Sequence, residues 1–374
     1  MRVAILVPMM SGRGGTESAI LRLLQGLEGA GDDVRVYFFG GEPSDPRWIR
    51  SIHSIILGSR TEKRWKRLWI YFFGLAAEFR RFRPDAVIAL DSLRLLKGRA
   101  ALLLSGQKAP LWSWIHFPVE RIKIKWMLRL ADRHLAVSEG IARQIRSFVK
   151  PSTASRVVTV YNAVPMGDVS LPRPGRGEPV EFLQIGRLEY AAQKRVADLL
   201  AAASRLKGEF RLTIIGDGPD RKALEQDGRE LGIGERITWL GWQTEPWDHV
   251  SRASVLLLTS SYEGFGIVLV EALSRGVPCI TSDCKYGPDE IIEHGRNGWL
   301  YPVGDIDRLA GLMQAVVDDP GILPPLEEVS RSAQRFSVRA TTERVRSAIA
   351  SFSTQDRKMG TRSQSSADVS AYRD

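Results

Sequence analysis

At 374 residues, with 44% hydrophobic and 26% charged positions, the chain reads as a soluble globular protein too long for one growing core and suited to two domains. Its 34 glycines and 19 prolines are too few and too scattered for a fibrous or low-complexity polymer. The net charge of +10 is uneven: residues 1–170 carry 27 Lys and Arg against 14 Asp and Glu, residues 171–374 carry 26 against 29, which points to a polyanionic partner on the N-terminal side without choosing among nucleic acid, anionic lipid and phosphorylated glycan.

The chain opens on RVAILVP (2–8), a short apolar run that suits a buried strand and not a secretory leader. The loop SGRGGTE (11–17) follows, with adjacent Gly14 and Gly15, and then a second strand pattern at 34–39. In RTEKRWKRLWIYFFGLAAEFRRFRP (60–84), Trp65, Leu68, Trp69, Phe72, Ala76 and Phe79 recur at helical spacing with basic residues at both ends. Two readings fit it equally: a helix lying in an anionic membrane interface, or one packed on the sheet. Its apolar stretch is about half the roughly 20 residues needed to span a bilayer, so a transmembrane helix is not expected. Strand patterns at 85–90, 111–117, 133–138 and 157–162 complete the first half, with a second basic-aromatic stretch, VERIKIKWMLRL, at 119–130.

PMGDVSLPRPGRGEP (165–179) has no apolar periodicity and reads as a linker between domains at 1–164 and 180–331. Strand patterns recur at 180–186, 211–218, 237–242, 254–260, 279–283 and 298–303, alternating with helical ones, so each half is expected to be an open parallel α/β sheet. A last helix is expected over 332–352, and a polar, disordered tail over 353–374. Cys279 and Cys284 offer neither a disulfide framework nor metal spacing, and a cytoplasmic location is expected. Two facing sheets would form one cleft, lined by the loops at the C-terminal ends of their strands.

The most informative segment on that cleft is SSYEGFGIVLVEALSRGVPCITSD (260–283). Glu263-Gly264-Phe265-Gly266 leads from an apolar strand into a helix at Ile267, and Glu271 follows eight residues after Glu263. Glycines there let backbone approach a ligand, and the free N–H groups of the helix start attract phosphate. The Glu-x7-Glu arrangement, followed by Gly276-Val277-Pro278, resembles the donor-site signature of GT-B glycosyltransferases, in particular the retaining family 4 group. That resemblance covers nearly the whole chain and implies two facing Rossmann-like domains, with the final helix returning to the first. It places Glu263 beside the donor sugar, Glu271 on the ribose hydroxyls, and Gly264, Phe265, Gly266 and Ile267 around the donor.

In GRLEYAAQK (186–194), Arg187 and Lys194 are candidates to meet the donor diphosphate; a solvated helix start is the plain alternative. The family has Gly after the Lys, whereas this chain has Arg195. The resemblance also places Gly14 and Gly15 against the donor phosphate and sugar, and His116 against the sugar. Read from the residues alone, His116 is more commonly a packed histidine. Asp305-Ile306-Asp307 is read as a helix cap and not a metal holder, so no metal is expected.

What the resemblance implies is a retaining, metal-independent transfer of a hexose, in which the departing diphosphate oxygen helps deprotonate the acceptor. Family habit makes the donor a UDP-hexose, with no further cofactor, and SDCKYGPDEIIEHGRNGWLY (282–301) is most similar to bacterial lipopolysaccharide-core and polysaccharide hexosyltransferases. The basic N-terminal half favours a phosphorylated glycolipid acceptor at the inner face of the cytoplasmic membrane. A GT-B nucleotide-sugar epimerase or phosphorylase shares the build. A nucleic-acid-binding protein would also explain the charge, but no nucleic-acid motif is present and no nucleic-acid partner is expected.

Overall fold

The computed structural model describes residues 1–351 except 9, 11–13, 42–51, 60, 151, 153–155 and 168–169, so the tail expected at 353–374 lies outside the described residues. The strands are β1 (Arg2–Val7), β2 (Asp33–Phe39), β3 (Ser54–Leu57), β4 (Ala86–Ala89), β5 (Leu111–Ile115), β6 (Arg133–Ala136) and β7 (Val157–Thr159), then β8 (Val180–Ile185), β9 (Phe210–Ile215), β10 (Ile237–Gly241), β11 (Val255–Leu258), β12 (Cys279–Ser282) and β13 (Gly298–Tyr301). They form two parallel sheets in the orders β3-β2-β1-β4-β5-β6-β7 and β10-β9-β8-β11-β12-β13. Helices cover both faces, which is why β4 (AVIA) and β11 (VLLL) are apolar and buried at every position. Strand β3 was not expected: SIIL is only four residues long, pairs with β2 alone and leaves Ile56 exposed.

The helices are α1 (Gly15–Gly29), α2 (Arg64–Trp69), α3 (Leu75–Phe82), α4 (Ser92–Ser105), α5 (Glu139–Phe148), α6 (Val196–Ala203), α7 (Arg221–Glu230), α8 (Ile267–Ser274), α9 (Pro288–Ile291), α10 (Ile306–Asp318), α11 (Leu326–Ala333) and α12 (338–351). The single helix expected over 332–352 is broken: α11 ends at Ala333, a tight turn spans Gln334–Phe336, and the Ser337 hydroxyl accepts from the Ala340 N–H to start α12. Helix α12 lies against the first domain, where Arg346 Nε meets the buried Asp32 carboxylate at 2.9 Å. The amphipathic stretch at 60–84 is likewise not one helix. A π-helical turn, Ile70–Gly74, joins α2 to α3 and resets the face. Beyond it Leu75, Ala76, Phe79 and Phe82 are buried on the sheet, whereas Trp65, Leu68, Trp69 and Phe73 before and within it are exposed.

In both sheets the strand order reverses beside the first strand, between β1 and β4 and between β8 and β11. Ligands of open parallel sheets sit at that reversal, outside the C-terminal strand ends. The connections leaving β1, β8 and β11 carry Gly14-Gly15, Gly186 to Arg195 and Thr259 to Gly266, so the chain topology brings the sequence candidates to one place.

Candidate active site

Two loops of the second domain are strapped together at the reversal. The Thr259 hydroxyl donates to the Lys194 carbonyl at 2.7 Å, the Ser261 N–H donates to the Gln193 carbonyl at 2.8 Å, and Gln193 Nε2 donates to the Tyr262 carbonyl at 3.1 Å. That strapping sets Lys194 Nζ 2.6 Å from Glu263 Oε1, which also accepts the Ser260 hydroxyl at 2.7 Å. Both members of the pair are mostly withdrawn from water, at 19% and 9% side-chain exposure. Arg187, by contrast, is 65% exposed and donates to Glu189 Oε1 at 3.0 Å. It emerges from the same loop but is held beside Lys194 by a different carboxylate.

Arg195, where the family has glycine, keeps the backbone that glycine favours, with φ 48° in the left-handed region. Its guanidinium is caught by Asp198 at 2.7 Å in the first turn of α6. The bulky cation therefore costs backbone strain of order 1 kcal/mol without redirecting the loop.

Gly264 is the joint between the domains. A Cβ there would lie 2.0 Å from the His116 carbonyl oxygen, so only a bare backbone lets the turn after β11 reach the end of β5. Gly266, at φ 95°, caps α8 and aims its first turn into the cleft. Opposite it, α1 begins at Gly14-Gly15, and a Cβ on Gly15 would be 3.4 Å from Ile267 Cδ1. Two helix starts, from two domains, thus face one space; their N–H groups carry partial positive charge, which at α1 the Glu17 carboxylate beside Gly14 partly offsets.

His116 is buried, with its ring 4.5 Å from that of Trp114, and neither Nδ1 nor Nε2 has a hydrogen-bond partner. Burial pushes its pKa down to about 3, so the imidazole is neutral near pH 7, offering one donor and one acceptor. The structure does not bring the Phe265 side chain to this cluster. It is buried against Tyr161 and Phe336, at centroid distances of 5.6 and 5.4 Å, and helps seal the domains together. Glu271 lies one helical stretch away, accepting from Trp247 Nε1 at 3.1 Å; burial raises its pKa while that bond and Arg275 oppose the shift. Asp305 caps α10 by accepting from the Arg308 N–H at 2.8 Å, and Asp307 is paired with Arg205. Among the described residues no group of three His, Cys, Asp or Glu side chains is placed to hold a metal ion.

Both halves of the chain match known proteins. Residues 13–167 match the model of Glycosyltransferase Family 4 and residues 173–336 that of Glycosyl transferases group 1. A lipopolysaccharide 1,6-galactosyltransferase of Salmonella typhimurium is 36% identical over 324 residues, covering 85% of this chain and 90% of the relative. The chain is a family 4 glycosyltransferase. Its fold is GT-B: the apo structure of the lipopolysaccharide outer core galactosyltransferase WaaB superposes with a TM-score of 0.83 at 34% identity, covering 94% of this chain and 99% of that one. Anabaena Alr3699/HepE, solved in complex with UDP-glucose, shares the fold at 19% identity and a TM-score of 0.78, covering 94% of this chain and all of its own.

Several groups of the glycosyltransferase site were not singled out from sequence. Glu189 lies within GRLEYAAQK and organises it; an acid between two cations was the available signal. Trp247, which holds Glu271, carried none, because its partner is 24 residues away. Across the domain joint, the Glu290 carboxylate accepts from the N–H groups of Glu139 and Gly140 at 2.7 and 2.9 Å, and Gln144 Nε2 donates to the Tyr286 hydroxyl at 2.6 Å. Together with the Tyr161–Phe265–Phe336 cluster, these contacts hold the cleft walls in register.

Proposed function

We propose that this glycosyltransferase moves a hexose from a UDP-hexose onto a glycolipid of bacterial lipopolysaccharide or a related polysaccharide, with retention of anomeric configuration and without a metal ion. The observation that supports the reading is the strapping of the Arg187-Lys194 loop to the turn before α8, which brings Lys194 Nζ to Glu263 at the strand reversal. As the glycosidic bond breaks, negative charge grows on the leaving diphosphate, and the cations and N–H dipoles gathered on it stabilise that charge. Glu263 keeps Lys194 oriented until the donor arrives. His116, neutral and unpartnered, is suited to bond a sugar hydroxyl from the opposite wall. The diphosphate oxygen takes up the acceptor proton, and the new bond forms on the face it leaves. Support for the lipopolysaccharide acceptor comes from the Salmonella relative's name and from the basic first half of the chain.

The acceptor's location adds a second element. Among the described residues no helix is long and apolar enough to cross a membrane. We propose that the protein docks peripherally on anionic lipid through α2 and the π turn, where exposed Trp65, Leu68, Trp69 and Phe73 lie among Lys63, Lys66 and Arg67. Trp126, also exposed, sits in the turn Lys125–Leu130, which packs on α4 as α3 does, so both basic-aromatic stretches belong to one flank.

A thermal-shift panel of UDP-, GDP- and ADP-hexoses tests the donor. A ligand that binds only the native state at a hundred times its Kd stabilises it by about 2.7 kcal/mol, so a UDP-hexose is expected to raise Tm by several degrees and the others not. A chain unmoved by every UDP-hexose, or one that interconverts two of them without acceptor, would overturn the reading.

A further inference from the structure

Glu189 makes more contacts with the candidate diphosphate loop than any of its cations. Its Oε1 accepts Arg187 Nη1 at 3.0 Å, and its Oε2 accepts the backbone N–H groups of Gln193 and Lys194 at 3.0 and 3.2 Å. Its own carbonyl accepts from the Val196 N–H at 3.0 Å, and Leu188 and Tyr190 on either side bond to the Asp217 carbonyl and the Asp220 carboxylate at 3.1 and 2.8 Å. The residue is buried, with 9% exposure, yet it is bonded to no other element's side chain among these contacts. A carboxylate that folds one loop back on itself, and touches that loop's two cation-bearing residues, sets where both cations stand.

We infer that Glu189 is the positioning residue of the diphosphate site, acting through two separable sets of bonds; the inference rests on the diphosphate-donor reading above. The bonds from Oε2 fix the backbone at Lys194, and so the direction from which its ammonium reaches the cleft. The bond from Oε1 parks Arg187 while the site is empty. Because Arg187 is largely exposed, its pairing with Glu189 is weak and exchangeable, and an incoming diphosphate, with more charge and more acceptor oxygens, draws the guanidinium away. The Oε2 bonds have no reason to break. One oxygen is a fixed anchor and the other a temporary hold.

Two variants separate the roles. In Glu189→Gln the amide oxygen still accepts from the two backbone N–H groups, while the charge that holds Arg187 is gone. In Glu189→Ala both are lost. Hydrogen exchange by mass spectrometry on the nucleotide-free protein is expected to show the 193–194 amides exchanging about tenfold faster in Glu189→Ala and unchanged in Glu189→Gln. Acceptor-independent release of uridine diphosphate from UDP-galactose or UDP-glucose is expected to fall about a hundredfold in Glu189→Ala, the scale of a misplaced catalytic group, and to stay within about threefold of wild type in Glu189→Gln. A merely structural carboxylate would lower Tm in both variants without this split. Unchanged exchange at 193–194 in Glu189→Ala, or release within threefold of wild type there, would overturn the inference. If wild type bound no uridine diphosphate, the donor reading would fall, and the exchange measurement would still decide whether Glu189 anchors the loop.

Discussion

The two domains share a strand order but present opposite chemistry to the cleft. On the C-terminal side three cations each have a carboxylate: Lys194 has Glu263, Arg187 has Glu189 and Arg195 has Asp198. On the N-terminal side His116 is without a partner, and Gly14-Gly15 offers bare backbone at a helix start. In the function proposed above, the paired cations meet the donor diphosphate, a group common to nucleotide-sugar donors. The unpartnered His116 and the bare Gly14-Gly15 would meet the same donor from the opposite wall, at its sugar and phosphate.

That contrast breaks first at Lys194. Lys194→Ala and Glu263→Ala are each expected to lower transfer by about a thousandfold, as loss of a main electrostatic contact to the transition state does. Either change also leaves a buried charge unpaired, a cost of about 3–5 kcal/mol, so circular dichroism must show that the chain still folds. The double variant Lys194→Met/Glu263→Gln removes that cost and should remain inactive. Activity within tenfold of wild type in any of the three would show that the tied-down wall does not hold the leaving group.

Next comes the joint. Gly264→Ala places a Cβ 2.0 Å from the His116 carbonyl, and the end of β5 must retreat. Transfer is expected to fall about a hundredfold, because misplacement by about 1 Å is enough, and Tm to drop by several degrees as the joint is forced apart. Gly15→Ala meets only ordinary contact at 3.4 Å and should leave Tm unchanged. Its donor KM is expected to rise about tenfold, since the added methyl would stand where a donor phosphate approaches. A Gly15→Ala enzyme with wild-type KM would place the donor away from α1.

The membrane flank sharpens the contrast from outside the cleft. Replacing Trp65 and Trp69 by Ser is expected to weaken sedimentation with vesicles containing anionic lipid by about tenfold, while acceptor-independent release of uridine diphosphate stays unchanged. Equal binding by the double variant would end the docking proposal.

Much of this was legible in the sequence, for a physical reason. A strand buried on both faces must be apolar at nearly every position, so RVAILV and VLLL declare themselves, and the loops after them carry the site because of where the sheet order reverses. What was not legible depends on partners far along the chain or on backbone. SIIL is too short to stand out. The π turn at Ile70–Gly74 changes which of Trp69, Phe72 and Phe73 face water, and no 3.6-residue pattern contains that rotation. Phe265 sits in a motif read as donor-binding, yet its ring serves Tyr161 and Phe336, a cluster assembled from three distant segments. Glu189 bonds mainly to backbone N–H groups, which every residue type supplies equally, so its neighbours' identities do not reveal it.

The smallest expected effect is on stability against pH, and it divides along the same line. Burial lowers the pKa of His116 to about 3 and that of His134, which bonds Ser113 at 2.7 Å, to about 4. Between those values and the ordinary 6.5 or so of an unfolded histidine, the unfolded chain holds protons that the folded chain does not. Stability is therefore full above about pH 6.5 and is lost as pH falls, by about 1.4 kcal/mol per histidine for each unit below it. Glu271, in the second domain, has its pKa raised by burial, so its protonation pulls the other way. Tm measured from pH 7.5 to 5 should fall by a few degrees. In Ser113→Ala/His134→Leu, which removes a buried titrating group together with its partner, the fall should be roughly halved. A slope unaltered by the first variant would mean that His134 is protonated in the folded state, and that the β5–β6 core is wetter than its packing implies.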